Sequence, residues 1–211
     1  MKLYLNEISS ATSRVRIALA LKELTVEVQS VGILGAEAES RQAAYRNINP
    51  QGLVPALLTD NGVLVTQSLA IIEYLDELQP EPALLPRTLE ERAQARSIAL
   101  AIASEIHAFV TPRIALHLGA SFGADADTIA GWNRHWIKEG MAAVEHRIAG
   151  GRRGDFAVGD QPSVADIFLF PQSVSARRLG LDLAQWPNIA EIVTNLEAIP
   201  AFAENAPAPR K

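Results

Sequence analysis

The sequence predicts a two-part molecule: an α/β domain over residues 1–80, then an all-helical domain over 88–211. Three observations carry that reading. Strand and helix signals alternate through the N-terminal part, a proline-rich stretch follows, and beyond it no strand pattern of any length occurs.

Lys2–Leu5 is a short apolar strand. From Thr12 to about Leu24 the apolar residues Val15, Ile17, Ala18, Leu19 and Leu21 predict a helix buried on most sides. Val26 and Val28 alternate with polar residues, the period of a second strand. Alanine-rich 36–47 reads as helical. Residues 55–58 and 63–67 form two β segments joined by the turn Asp60-Asn61-Gly62. A helix beginning near Ser68 carries Ile71, Ile72, Leu75 and Leu78 on one face. The order β-α-β-α-β-β-α, with its hairpin, is a mixed thioredoxin-like sheet. Gln79-Pro80-Glu81-Pro82-Ala83-Leu84-Leu85-Pro86 is a linker, because proline cannot continue a helix and restrains the residue before it. Helices follow at about 88–119, 126–149, 163–178 and 188–197, with a glycine-arginine loop at 150–154 and a disordered tail from Ala206.

Hydrophobic residues make up 48% of the 211 and charged residues 20%, a globular composition large enough for one or two cores. The net charge of −5 argues against a nucleic-acid partner. There is no cysteine, so thiol chemistry here needs a thiol that arrives as a ligand. The four histidines form no i,i+4 pair, and no metal site is expected. No charged leader precedes a long apolar run and no window reads as a membrane span, which makes a cytoplasmic protein the expectation.

Three segments are candidates for chemistry. Ser9, Ser10 and Thr12 stand at a strand-to-helix turn, where a hydroxyl caps the first free N–H groups. A cap accounts for one of them. The positive end of a helix also favours an anion, and a thiolate with a hydroxyl donor beside it is one. Val54-Pro55 opens a strand with a residue that removes a ladder donor. Either this is an edge-strand proline, or it is a cis-proline that turns the backbone of Val54 toward a peptide-like ligand. Gln67-Ser68 begins a helix, as a plain cap or as a carboxylate site.

Taken in order, three stretches resemble the zeta class of glutathione transferases, which includes maleylacetoacetate and maleylpyruvate isomerases. They are Ser9-Ser10-Ala11-Thr12-Ser13-Arg14-Val15-Arg16-Ile17, Asn49-Pro50 with Leu53-Val54-Pro55, and Gln67-Ser68-Leu69-Ala70-Ile71-Ile72-Glu73-Tyr74-Leu75. The resemblance continues through Val158-Gly159-Asp160, Ser163-Val164-Ala165-Asp166, Pro171-Gln172 and Ala176-Arg177-Arg178-Leu179. It implies a glutathione transferase fold, glutathione as cofactor and a homodimer. It gives Ser9, Ser10 and Thr12 the glutathione sulfur and Val54, before a cis Pro55, the cysteinyl part. Gln67 and Ser68 take the γ-glutamyl end, and Gln51 the glycyl side.

The small-molecule substrate that the resemblance implies is a maleyl-type keto diacid, isomerised by addition of glutathione, rotation and release. Two carboxylates call for cations, and arginine matches each with a planar fork of donors. Arg113 and Arg178 align with family positions, as does His107. Asp166 reads as structural, in a Ser-x-x-acid capping box. Trp132 and Trp136, one turn apart, read as a packed helix face, and Arg152-Arg153 as a solvated loop. The family pattern is broken at Ile8, where arginine is usual, at Ala11, where many members carry cysteine, and at Val110-Thr111, where asparagines stand. One carboxylate anchor is therefore missing, and a glutathione transferase or dehalogenase acting on a less charged electrophile is the alternative. A non-catalytic binding module of the same fold is a third, against which the joint presence of the three segments argues.

Overall fold

The computed structural model describes residues 1–152 and 154–209, so Arg153 of the expected loop and residues 210 and 211 of the expected tail lie outside it. The described residues form two compact units, residues 1–83 together with the segment from 204, and residues 84–203.

The first unit is built on a four-stranded sheet in the order β2-β1-β3-β4, with β1 Lys2–Leu5, β2 Glu27–Ser30, β3 Ala56–Leu58 and β4 Leu64–Thr66. β1 runs parallel to β2 and antiparallel to β3, and β3–β4 is an antiparallel hairpin. The register opposes Leu3 to Leu57 and Tyr4 to Ala56, all four buried in the core. Helices α1 (Ser10–Leu21) and α3 (Ser68–Leu78) pack against each other. Ile71, Ile72 and Leu75 of α3 are 0–1% exposed, each burial favourable by about 2 kcal/mol.

α1 starts two residues before the position expected from hydrophobicity, because Ser9 caps it and the polar residues Ser10, Thr12, Ser13 and Arg14 lie inside the protein. It ends at Leu21, where Glu23 takes a positive φ of 53°. Lys22, 0% exposed, follows immediately. Its Nζ pairs with Asp76 at 2.7 Å and donates to the carbonyls of Gln79 and Pro82, at the carboxyl end of α3 where a helix favours a cation. The helix expected over 36–47 is only a 3₁₀ turn at Glu39–Arg41 and a single turn, α2 (Ala43–Arg46). Alanine content supplied propensity there but no apolar face, and only Ser40 and Tyr45 of the two turns are buried.

The second unit is all-helical, with α4 (Leu89–Glu105), α5 (Pro112–Phe122), α6 (Ala126–Gly151), α7 (Val164–Arg178), α8 (Pro187–Glu197) and α9 (Pro200–Ala203). The single helix expected over 88–119 is two. A 3₁₀ turn at His107–Phe109 interrupts it, and Pro112 restarts the chain at the N-terminal position that tolerates a missing N–H. By length and composition 89–122 passes for a membrane span, against the expectation that no window does. In the fold it is broken in two, and α4 buries Ala95, Ile98, Ala99 and Ile102 against α6 and α7. Gly140 of α6 is placed against the break. A Cβ there would lie 2.2 Å from Ile106 Cγ1, so only glycine admits the approach.

Two further expectations change. Gly150 and Gly151 extend α6 rather than opening a loop. The tail is ordered through residue 209: Ser13 Oγ donates to the Asn205 carbonyl at 2.5 Å, Ala208 N donates to the Glu7 carbonyl at 2.8 Å, and Pro207 is buried.

Candidate functional site

The loop between β1 and α1 folds on itself through short-range polar contacts. Asn6 Oδ1 accepts from Ile8 N at 3.2 Å, and Asn6 Nδ2 donates to the Val31 carbonyl at 2.8 Å. Ser9 is the N-cap, its backbone extended, and its Oγ accepts from Thr12 N at 3.3 Å. That bond uses an oxygen lone pair and leaves the Ser9 hydrogen free to donate. Ser9 is half-buried and Ser10, the first helical residue, is 7% exposed. Thr12 is 1% exposed, and its Oγ1 accepts from Asn6 N at 3.3 Å. The three hydroxyls thus share one helix start, with Ser9 the most accessible and Thr12 tying down the loop. α1 has no acidic residue in its first turn, so nothing there offsets its positive end.

The Val54–Pro55 peptide is cis, as expected. The loop before it is held from beneath. Tyr45 Oη and Asn49 Nδ2 both donate to the Leu53 carbonyl, at 2.7 and 2.8 Å, and Asn49 Oδ1 accepts from Gln51 N at 3.1 Å. Burial pushes the Tyr45 hydroxyl up to about 12, so it stays protonated and keeps donating. Gly52 takes φ +62°, and a Cβ there would meet the Ser40 carbonyl at 2.6 Å. With Leu53 fully engaged, no backbone hydrogen bond reaches Val54 among the described residues. Its N–H and carbonyl remain open to a peptide-like ligand.

α3 begins beside this loop in the sheet's order. Gln67 precedes it with φ 71° and ψ 123°, and its side chain does not cap the first N–H groups of the helix. A non-glycine residue in that conformation carries strain, of the kind concentrated at ligand sites. Gln67 Nε2 donates to Gln51 Oε1 at 3.1 Å, joining two residues expected at opposite ends of the ligand. Ser68 Oγ accepts from Arg14 Nη1 at 3.3 Å. Arg14 is 1% exposed, and burial draws its pKa down to about 9, which leaves it protonated at neutral pH. In the sequence Arg14 stands inside the first motif with no role of its own. The available signal was an arginine beside Val15, inside a helix otherwise buried.

A thiol tripeptide with a free carboxylate matches this unit: an anion-favouring helix start with a hydroxyl donor, an open backbone pair, and a second, uncapped helix start.

The residues expected on the substrate side all belong to the helical unit. His107 is half-buried on the 3₁₀ turn, Arg113 is exposed in the first turn of α5, and Arg178 is exposed at the last residue of α7. The turn is anchored by aromatic packing: Phe109 stacks on Trp136 with centroids 4.5 Å apart, and Trp132 Nε1 donates to the Phe109 carbonyl at 2.9 Å. Asp166 is fully buried. It accepts from Ala157 N, Ser163 N and Ser163 Oγ at 2.8–3.0 Å, the capping box expected. Burial raises its carboxyl to about 6, against the pull of those donors.

Residues 8–78 match the model of the glutathione S-transferase N-terminal domain, and residues 128–194 that of the C-terminal domain. The maleylacetoacetate isomerase of Pseudomonas aeruginosa is 42% identical over 208 residues, 99% of this chain and 96% of the relative. A solved maleyl pyruvate isomerase, a bacterial zeta-class glutathione S-transferase in its holo form, superposes with a TM-score of 0.93 at 40% identity, covering 100% of this chain and 98% of that one. The maleylacetoacetate isomerase of Methylobacterium extorquens AM1, solved with malonate and glutathione bound, also gives 0.93, at 34% identity and with 100% and 98% covered.

Proposed function

The chain belongs to the glutathione S-transferase family, and from that premise we propose that it is a glutathione-dependent cis–trans isomerase of a maleyl-type keto diacid, maleylpyruvate or maleylacetoacetate. One observation carries the reading furthest. A single compact unit combines the Ser9 helix start, the open Val54 backbone and the uncapped Gln67-Ser68 helix start. The full-length likeness to zeta-class isomerases supplies the reaction type.

Bound glutathione supplies the thiolate that adds to the cis double bond and later leaves, rotation coming between. The chain's own residues then have these roles. Ser9 donates its free hydroxyl hydrogen to the sulfur, and Ser10 with the α1 N-terminus adds positive potential around it. Thr12 holds the loop that presents them. Val54 pairs main chain to main chain with the cysteinyl residue. Gln67, Ser68 and the first N–H groups of α3 take the γ-glutamyl carboxylate, and Gln51 reaches the glycyl side. Arg113 and Arg178 bind the substrate carboxylates, and His107 donates to a substrate oxygen. The enzyme works as a homodimer in the cytoplasm, within the breakdown of an aromatic acid.

Ile8 favours a second reading, conjugation or dehalogenation of an electrophile with one acid group or none, since it cannot bind a carboxylate. Incubation with maleylpyruvate, with and without glutathione, and then with a chlorinated aromatic acceptor separates the two. Glutathione-dependent isomerisation is expected. Conjugation without isomerisation selects the second reading, and absence of glutathione binding by calorimetry removes both.

A further inference from the structure

Arg14 is a costly residue to keep where it stands. It is 1% exposed, beside Val15, Ile17 and Ala18 of a packed helix, where an apolar side chain would fill the same volume without desolvating a charge. Its Nη1 reaches Ser68 Oγ, 54 residues along the chain, at 3.3 Å. Ser68 is the first residue of α3, it is 6% exposed, and the helix start it belongs to has no side-chain cap. A serine oxygen that accepts from a guanidinium has its own hydrogen directed elsewhere, and polarised toward donation.

We propose that Arg14 is a positioning residue of the glutathione site, orienting the Ser68 hydroxyl and setting a positive charge beneath the α3 N-terminus for the γ-glutamyl carboxylate. The proposal rests on the glutathione reading above. It differs from a packing role in one respect: its effect is confined to the carboxylate of one end of the ligand.

The test compares two thiols, glutathione and the analogue whose γ-glutamyl α-carboxylate is replaced by hydrogen. In Arg14→Met the KM for glutathione rises about tenfold or more, the loss of one charge-assisted hydrogen bond. At saturating glutathione kcat and the KM for the diacid stay within about twofold. Wild type binds the analogue weakly, and Arg14→Met binds it no more weakly. Arg14→Lys, which keeps the charge, recovers most of the glutathione affinity, while Arg14→Gln recovers little. If Arg14→Met does not fold, the Lys and Gln variants decide alone by the same ratio. Equal losses for glutathione and the analogue, or equal losses in Lys and Gln, overturn the role of Arg14. A wild type that binds no glutathione overturns the underlying reading as well, so the two failures are distinct.

Discussion

Ser9 and Asp166 show how one residue's surroundings decide between chemistry and architecture. Both sit at helix starts, and both accept hydrogen bonds from backbone N–H groups. Ser9 is half-buried with a hydrogen to give, so Ser9→Ala is expected to lower kcat/KM about a hundredfold, the scale of one lost donor to a reacting anion. The pKa of the bound glutathione thiol should rise with it, followed through the ultraviolet absorbance of the thiolate. An unchanged thiol pKa would remove Ser9 from that role. Asp166 has no accessible surface and serves the fold. Its carboxyl is raised from 3.8 to about 6, so between those pH values the folded chain holds a proton that the unfolded chain has released. Its contribution to stability is full below pH 3.8 and is lost as pH rises through about 6. Relative to Asp166→Asn, which does not titrate, the wild-type urea midpoint should fall over that window. A parallel pH dependence of the two would contradict it.

At the scale of elements, the decisive features are the places where helices begin and stop. The break between α4 and α5 puts His107 on a 3₁₀ turn, and three contacts fix that turn: Phe109 on Trp136, Trp132 on the Phe109 carbonyl, and Gly140 under Ile106. Gly140→Ala forces a methyl into Ile106 and is expected to destabilise the protein by about 1–3 kcal/mol, as overpacking does. Ile106→Ala in the same chain should relieve part of the loss, and thermal unfolding of the four members of the cycle measures it. Strict additivity would mean that the two residues do not meet.

At the scale of the molecule, each unit holds one half of the proposed chemistry, the thiol side in residues 1–83 and the diacid side in 84–203. Arg178→Ala should therefore raise the KM for a diacid about tenfold or more and leave that for an uncharged electrophile within twofold, because it removes a fork of donors that only a carboxylate uses. Steady-state kinetics on both substrates decides it, and equal effects would take Arg178 out of the substrate site.

How much was legible from sequence follows the range of the interactions involved. The alternation of strands and helices, the linker, the cap at Ser163–Asp166 and the helix starts at Ser9 and Ser68 are local patterns, set by residues within a turn or two of each other. Those patterns, with the order of the motifs, determined the fold class and marked the segments proposed to bind glutathione. What only the tertiary structure decided lies between residues far apart in the chain. Asn6 binding the Val31 carbonyl, Arg14 reaching Ser68, Gln67 pairing with Gln51 and the tail returning to Ser13 and Glu7 are such cases. Composition made the tail look unstructured and 36–47 look helical. Order in the tail comes from partners on α1 and its loop, and the helix at 36–47 fails for want of an apolar face to bury. Hydroxyls at a helix start are visible in the sequence, but which of them is accessible depends on what packs above and below.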